Sequence, residues 1–354
     1  MALVNRIGYI DAARGAAMLM VVFSHVLLFS FGKATSPGFN DLFSLVMLPM
    51  LFFISGYLSM RRFNAGFKSV LAYIWKKFLA LVIPTIIFHI IFSLVIESGY
   101  LVWIDKAKQG FWFTYTLFFY CFVYAVGDYL LSKVVDDKVL VWIGTVFSFL
   151  LYGFAKFSLS NACAWNGSVA SNLLGYANLQ YFIYFYLGLV LCNNREAFFK
   201  IIDNSKIMAL IASLFLSLFL FLEVVDADVL APSILSIFKT LSCLFGIVAL
   251  FAFFRRYDNY FTKGTLIGRV LQTIGIYSFD IYILHLFFIR FDMSVFGIFL
   301  VRHNNPIIEL FLGMLYALMI IGICLAISNF IRCSDTLAKL LFGKVIPKGE
   351  ESSK

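Results

Sequence analysis

Ionisable side chains stand inside stretches of sequence that are otherwise apolar, among them Asp11, Arg14 and His25 near the start, His89 in the third such stretch, and Asp280 and His285 in the ninth. At bilayer depth each costs about 2.5–3.5 kcal/mol even on a lenient scale, so each must face a cavity or a partner and is a candidate for function. Arg14 and His25 are eleven residues apart in sequence. At about 100° per residue that is about 20° past three whole helical turns, and about 16 Å along the axis, so the two share one face. Asp11 stands three residues before Arg14, where it can orient or partly neutralise the guanidinium. Gly15, Ala16 and Ala17 leave room for a neighbouring helix or a ligand. A guanidinium is a planar donor for a phosphate or a polar amide chain, and a histidine in a low-dielectric pocket is the usual general base for a hydroxyl. That division suits a long donor molecule with a charged end and a reactive end. The blander alternatives are an Arg14 that snorkels to inner headgroups and a His25 that only packs.

In the ninth stretch Gly275, Ser278, Tyr282 and His285 recur at intervals of three, four and three, which on one continuous helix makes a polar stripe facing the same interior. His89 lies five residues after Pro84 and is read as answering a carbonyl that the proline frees. Ser55 and Gly56, in "PMLFFISGYL", are small enough to let the second helix pack on the first, and Ser55 is a candidate for lining the cavity. There is no G-x-S-x-G elbow and no spacing of metal ligands, so neither a serine nucleophile nor a metal site is expected. Six cysteines, with Cys121, Cys243 and Cys324 inside apolar stretches, Cys192 and Cys333 near the ends of others and Cys163 alone in a loop, do not read as a disulfide framework.

The elements that position these groups follow from composition. Of 354 residues, 62% are hydrophobic and 13% charged, far from the balance of a soluble domain. Apolar stretches long enough to cross about 30 Å of hydrocarbon recur ten times, at 10–31, 43–60, 78–98, 111–131, 139–156, 178–192, 207–224, 233–254, 271–290 and 307–331. Continuous apolar runs in lipid must be helices, so the expectation is an all-α, polytopic transmembrane bundle. Twenty of the 28 lysines and arginines fall on one side of that topology, which places both termini in the cytoplasm and makes the bacterial cell membrane the expected location. The net charge of +9 is then mostly a rim facing anionic inner-leaflet lipid and does not point to nucleic acid. A single membrane domain over 1–334 is followed by a cytoplasmic tail, 335–354, whose stretch Asp335–Lys344 reads as an amphipathic surface helix or a plain stop-transfer tail. The absence of an internal repeat weighs against many secondary transporters.

Three segments in order resemble the acyltransferase 3 family of membrane O-acyltransferases, which modify bacterial polysaccharides and related glycans. They are "YIDAARGAAMLMVVFSH" (Tyr9 to His25), "LPMLFFISGYL" (Leu48 to Leu58) and "LQTIGIYSFDIYILH" (Leu271 to His285). The resemblance implies an acyl-CoA donor, usually acetyl-CoA, used as co-substrate rather than as a bound cofactor, and a sugar hydroxyl as acceptor. It implies His25 as the essential base or acyl-handling group and Arg14 as a donor-binding residue. The family's basic Arg-x-x-Arg is replaced here by "WKKFLALVIP", which supplies Lys76 and Lys77 for the donor but has Ala80 where the second arginine stands. The expected activity is therefore transfer of an acyl group from cytoplasmic acyl-CoA to a glycan or lipid-linked saccharide, with Asp11, Ser55, Ser278, Tyr282 and His285 lining or supporting the cavity. The rival is an exporter of a lipid-linked or small anionic substrate that uses the same buried polar groups as a relay.

Overall fold

A computed structural model describes residues 7–32, 38–63, 66–95, 108–158, 168–225 and 231–343. Among them all regular structure is helical: α1 Gly8–His25, α2 Phe39–Ser59, α3 Phe67–Lys77, α4 Ile83–Val95, α5 Trp112–Leu131, α6 Asp137–Ser158, α7 Val169–Leu174, α8 Phe182–Asn193, α9 Arg195–Ile202, α10 Ser205–Val224, α11 Pro232–Arg256, α12 Leu266–Ile276, α13 Ser278–Phe288, α14 Ser294–His303, α15 Pro306–Ile331 and α16 Asp335–Phe342. Among the described residues eight helical stretches are long and apolar enough to cross a membrane, and the pair α12–α13 makes nine if it counts as one span. The protein is a polytopic helical bundle.

The differences from the ten expected spans are local and physical. The third begins earlier, at Phe67, because α3 and α4 run on as one stretch through a π turn at Phe78–Val82. The sixth is a twelve-residue helix, α8, entered through a six-residue 3-10 turn at Tyr176–Tyr181. At about 1.5 Å per residue this helix reaches only about 18 Å, and it is not among the stretches long and apolar enough to cross a membrane. The ninth is broken at Tyr277, with α12 and α13 meeting at 82°. The polar residues of 271–285 therefore do not form one continuous stripe: Gly275 lies on α12, and Ser278, Tyr282 and His285 on α13.

The helices form two compact units, Met1–Leu58 with Leu187–Leu325, and Ser59–Tyr186 with Ala326–Lys354. The first is organised around α1 and α12, whose backbones cross at two glycines. A Cβ on Gly15 would lie 1.9 Å from the Leu271 carbonyl oxygen, and one on Gly275 would lie 1.9 Å from that of Asp11. Only glycine at both positions permits this approach, which in lipid replaces the hydrophobic drive that soluble helices have. Toward the far end of α1, Gly297 seats its bare Cα on the Phe31 backbone. The helix α10 has no buried residue and pairs with α11, as suits a lipid-facing span. A close approach to α2 is made at Gly188 of α8, where a Cβ would meet the Phe53 carbonyl oxygen at 2.1 Å.

In the second unit, α16 is a helix capped by Ser334, whose side chain accepts the Leu337 N–H. Its Phe342 stacks on Phe88 of α4, and Gly343 (φ +68°) lies against the Ala80 backbone. The tail helix thus has a docked face, Ala338 and Phe342, and an exposed one, Leu337 and Leu340. The remainder of the tail from 344, like residues 159–167 with Asn161, Cys163, Trp165 and Asn166, lies outside the described residues.

Candidate active site

The α1 helix is regular from Gly8 to His25, so the shared face of Arg14 and His25 holds. Directly after His25 it widens into a π turn, Val26–Ser30, closed by the Phe31 N–H donating to the Val26 carbonyl at 2.9 Å. Such turns recur at functional sites because they re-aim side chains without ending the helix. Here the turn's last residue is clasped to the end of α13. The Ser30 hydroxyl donates to the Ile289 carbonyl at 2.8 Å, and the Met293 N–H donates to the Ser30 carbonyl at 2.8 Å.

The break at Tyr277 and this clasp bring His285 of α13 onto His25. His25 Nδ1 and His285 Nε2 are 2.9 Å apart, and the rings are within 10° of parallel. The other nitrogen of His285, Nδ1, lies 2.9 Å from the Ile281 carbonyl oxygen. A carbonyl oxygen only accepts, so His285 Nδ1 carries a hydrogen, and in the neutral ring its Nε2 is then a bare acceptor. His25 Nδ1–H donates to it. The remaining nitrogen, His25 Nε2, is left with its lone pair and no hydrogen. One backbone carbonyl thus sets the tautomers of two rings in series, and the outcome is a base at His25 Nε2. His285 is wholly buried whereas His25 is partly exposed, so His25 is the member of the pair that a substrate can reach.

Around the pair, the Tyr282 ring centroid is 6.1 Å from that of His285, and Asp280 in the first turn of α13 is fully buried. Ser278 opens α13 immediately after the break. Arg14 lies 3.7 Å from Asp11 in an i,i+3 ion pair and keeps about a fifth of its side chain exposed. Ser55 turns its hydroxyl back to the Leu51 carbonyl at 2.7 Å, so its one donor is spent within its own helix. Lys76 and Lys77 close α3 in the other unit, where Lys77 Nζ donates to the Ser59 hydroxyl at 3.4 Å and lies 5.5 Å from the Tyr73 ring centroid.

Sequence reading set Arg14 and His25 on one face but did not foresee the contact between the two imidazoles. That pairing depends on a bend at Tyr277, for which neither proline nor a glycine pair gives a signal. It also left unused Phe29 and Arg290, which flank His25 on the side away from Arg14. The rings of His25 and Phe29 are 5.5 Å apart, and the Arg290 guanidinium lies 5.4 Å from the Phe29 centroid.

No curated protein and no solved structure matches the chain. A family model, acyltransferase 3, described as an acyltransferase domain, matches residues 7–328. That range takes in every helix of the site from Asp11 to His285. The chain therefore belongs to the acyltransferase 3 family and is a multi-pass membrane acyltransferase.

Proposed function

We propose that this protein transfers an acyl group, in the first instance acetyl, from cytoplasmic acyl-CoA to a hydroxyl of a glycan or lipid-linked saccharide at a bacterial inner membrane. The observation that carries the proposal is the bare Nε2 of His25, fixed by the His285 and Ile281 contacts. With the N-terminus in the cytoplasm, as the lysine and arginine bias favours, Arg14 stands toward the inner mouth and His25 toward the outer half. The donor's pantetheine arm runs past Arg14, and the spacing of about 16 Å to His25 is comparable with that arm's reach. On the family resemblance, Lys76 and Lys77 hold donor phosphates as point charges.

At the reaction end, His25 Nε2 takes the proton of the acceptor hydroxyl as its oxygen attacks the thioester carbonyl. Collapse of the tetrahedral intermediate breaks the C–S bond, and the proton held by His25 goes to the departing CoA thiolate. His285 accepts the His25 Nδ1–H throughout, which keeps the ring oriented and spreads the positive charge of the transient imidazolium.

The test uses purified protein in detergent with acetyl-CoA labelled in the acetyl group. Wild type cleaves the thioester and passes label to a saccharide, and His25→Ala lowers the rate about 10²–10⁴-fold while the thermal unfolding midpoint stays close to wild type. A wild type that neither binds nor cleaves acyl-CoA but carries an anionic substrate across vesicles is a transporter instead. Mass spectrometry of surface glycans from a deletion strain identifies the acceptor.

A further inference from the structure

Away from the histidine pair, the first unit holds a groove of about 280 Å³ between α12 and α15. Val270 and Ile274 line it from one helix and Leu318, Gly322 and Leu325 from the other, and Arg269 is the one ionisable side chain at its wall. The groove opens outward from the bundle: Val270 is 39% and Leu318 41% exposed, and a Cβ on Gly322 would meet nothing within 4 Å. Water does not settle in so apolar a space, because a held water needs two to four polar partners. Hydrocarbon does. With the N-terminus in the cytoplasm, as the lysine and arginine bias favours, α15 runs from Pro306 on the outer side to Ile331 on the inner, so Leu318–Leu325 lies in its inner half. Arg269, in the first turn of α12, stands at the inner end of the groove. Its Nε donates to the Lys263 carbonyl at 3.3 Å, and among the described residues no carboxylate pairs with its terminal nitrogens. Such a site asks for a molecule with a hydrocarbon chain and an anionic head.

The position of Arg269 along the membrane decides between the candidates. Gly15 and Gly275 lie side by side, and the Cβ of each would meet the carbonyl four residues earlier in the other helix, Leu271 and Asp11, so α1 and α12 run parallel at the crossing. Arg269 is then about 9 Å inward of Gly275, and His25 about 15 Å outward of Gly15. A saccharide tethered to a phosphate at Arg269 would be held about 24 Å short of the base, which rules against a lipid-linked acceptor, and an acetyl donor has no chain with which to fill the groove. We infer that the α12–α15 groove is a binding site for an anionic phospholipid of the inner leaflet. One acyl chain lies between Val270 and Ile274 on one side and Leu318, Gly322 and Leu325 on the other, and Arg269 takes the phosphodiester by charge-assisted hydrogen bonds. The groove face of α12 is turned about a third of a turn from the face that meets α1, so this inference stands independently of the acyl-transfer reading.

The test is native mass spectrometry of the full chain, delipidated in detergent and titrated with dioleoyl phosphatidylglycerol or dioleoyl phosphatidylcholine, which differ in net charge but not in chain. Wild type holds its first phosphatidylglycerol about tenfold or more tightly than phosphatidylcholine, and phosphatidylglycerol raises its unfolding midpoint further. Arg269→Gln lowers phosphatidylglycerol affinity about tenfold to hundredfold, the range expected for loss of a hydrogen bond to a charged group, and leaves phosphatidylcholine unchanged. Gly322→Leu places a side chain in the open groove without a clash and weakens both lipids, while its unfolding midpoint without lipid stays at or above that of wild type. Equal affinity of wild type for the two lipids overturns the inference and makes any bound lipid annular. A phosphatidylglycerol affinity that Arg269→Gln or Gly322→Leu leaves within about twofold overturns it too. So does a wild-type dimer that Gly322→Leu converts to monomer, which makes the groove a face between two copies of this chain.

Discussion

Two long helices of this protein carry a π turn, and the two turns have different causes. In the α3–α4 stretch the turn at Phe78–Val82 is explained locally. Pro84 has no N–H to give the Ala80 carbonyl, and its ring would collide with that carbonyl in a straight helix. The chain widens by one residue, with the Ile83 N–H reaching back to Phe78, and the Thr85 hydroxyl donates to the Leu81 carbonyl at 2.6 Å. In α1 the turn at Val26–Ser30 contains no proline, and what holds it is tertiary: the two hydrogen bonds between Ser30 and the end of α13. A distortion that its own sequence forces says little about function. One that distant residues impose, directly beside a partly exposed histidine, marks where the fold has been shaped around chemistry.

That contrast can be broken or sharpened by substitution. The largest effect is expected from Gly275→Val, since its side chain would enter the Asp11 carbonyl and part α1 from α12. A loss of about 3 kcal/mol or more, read as a fall in the detergent unfolding midpoint, would show that the imposed turn depends on this crossing. Next comes His285→Asn, which keeps the helix but removes the acceptor that sets the His25 tautomer. Acyl transfer should drop roughly 10–100-fold, with acyl-CoA binding retained. Ser30→Ala removes one strand of the clasp and leaves the Ile289 carbonyl short of a donor. About 1 kcal/mol, seen as a fewfold fall in kcat, is the expected result, and no change would mean that the turn after His25 stands without the clasp. The smallest effect belongs to Pro84→Ala, where the local cause is deleted. Transfer should stay within about twofold of wild type, and a large loss would erase the distinction between the two turns.

How much of this could be read from the chain beforehand follows the range of the interactions involved. The membrane-spanning character, the helical class and the common face of Arg14 and His25 are properties of composition and of an eleven-residue spacing, and both are local. The roles of Gly15 and its small neighbours were legible as permission for close approach, but not which carbonyl would come close. The His25–His285 contact joins residues 260 apart in sequence, and it requires a bend at Tyr277 that no proline announces. Reading 271–285 as one uninterrupted helix put Gly275 and His285 on a single stripe that the bend takes apart. Ser55 teaches a related point, because a serine in an apolar helix can satisfy its donor on the carbonyl four residues back, and only coordinates say that it has.

The broken span has a consequence for how the protein is made. Each half, α12 or α13, is eleven residues long and reaches only about 17 Å at 1.5 Å per residue, short of the hydrocarbon thickness. Neither half is a convincing insertion signal by itself. The pair settles by docking against α1, a helix synthesised some 250 residues earlier. The two histidines therefore meet only once α13, with His285 260 residues after His25, has been made. A chain stalled before α13 carries His25 in the membrane without the imidazole that sets its tautomer.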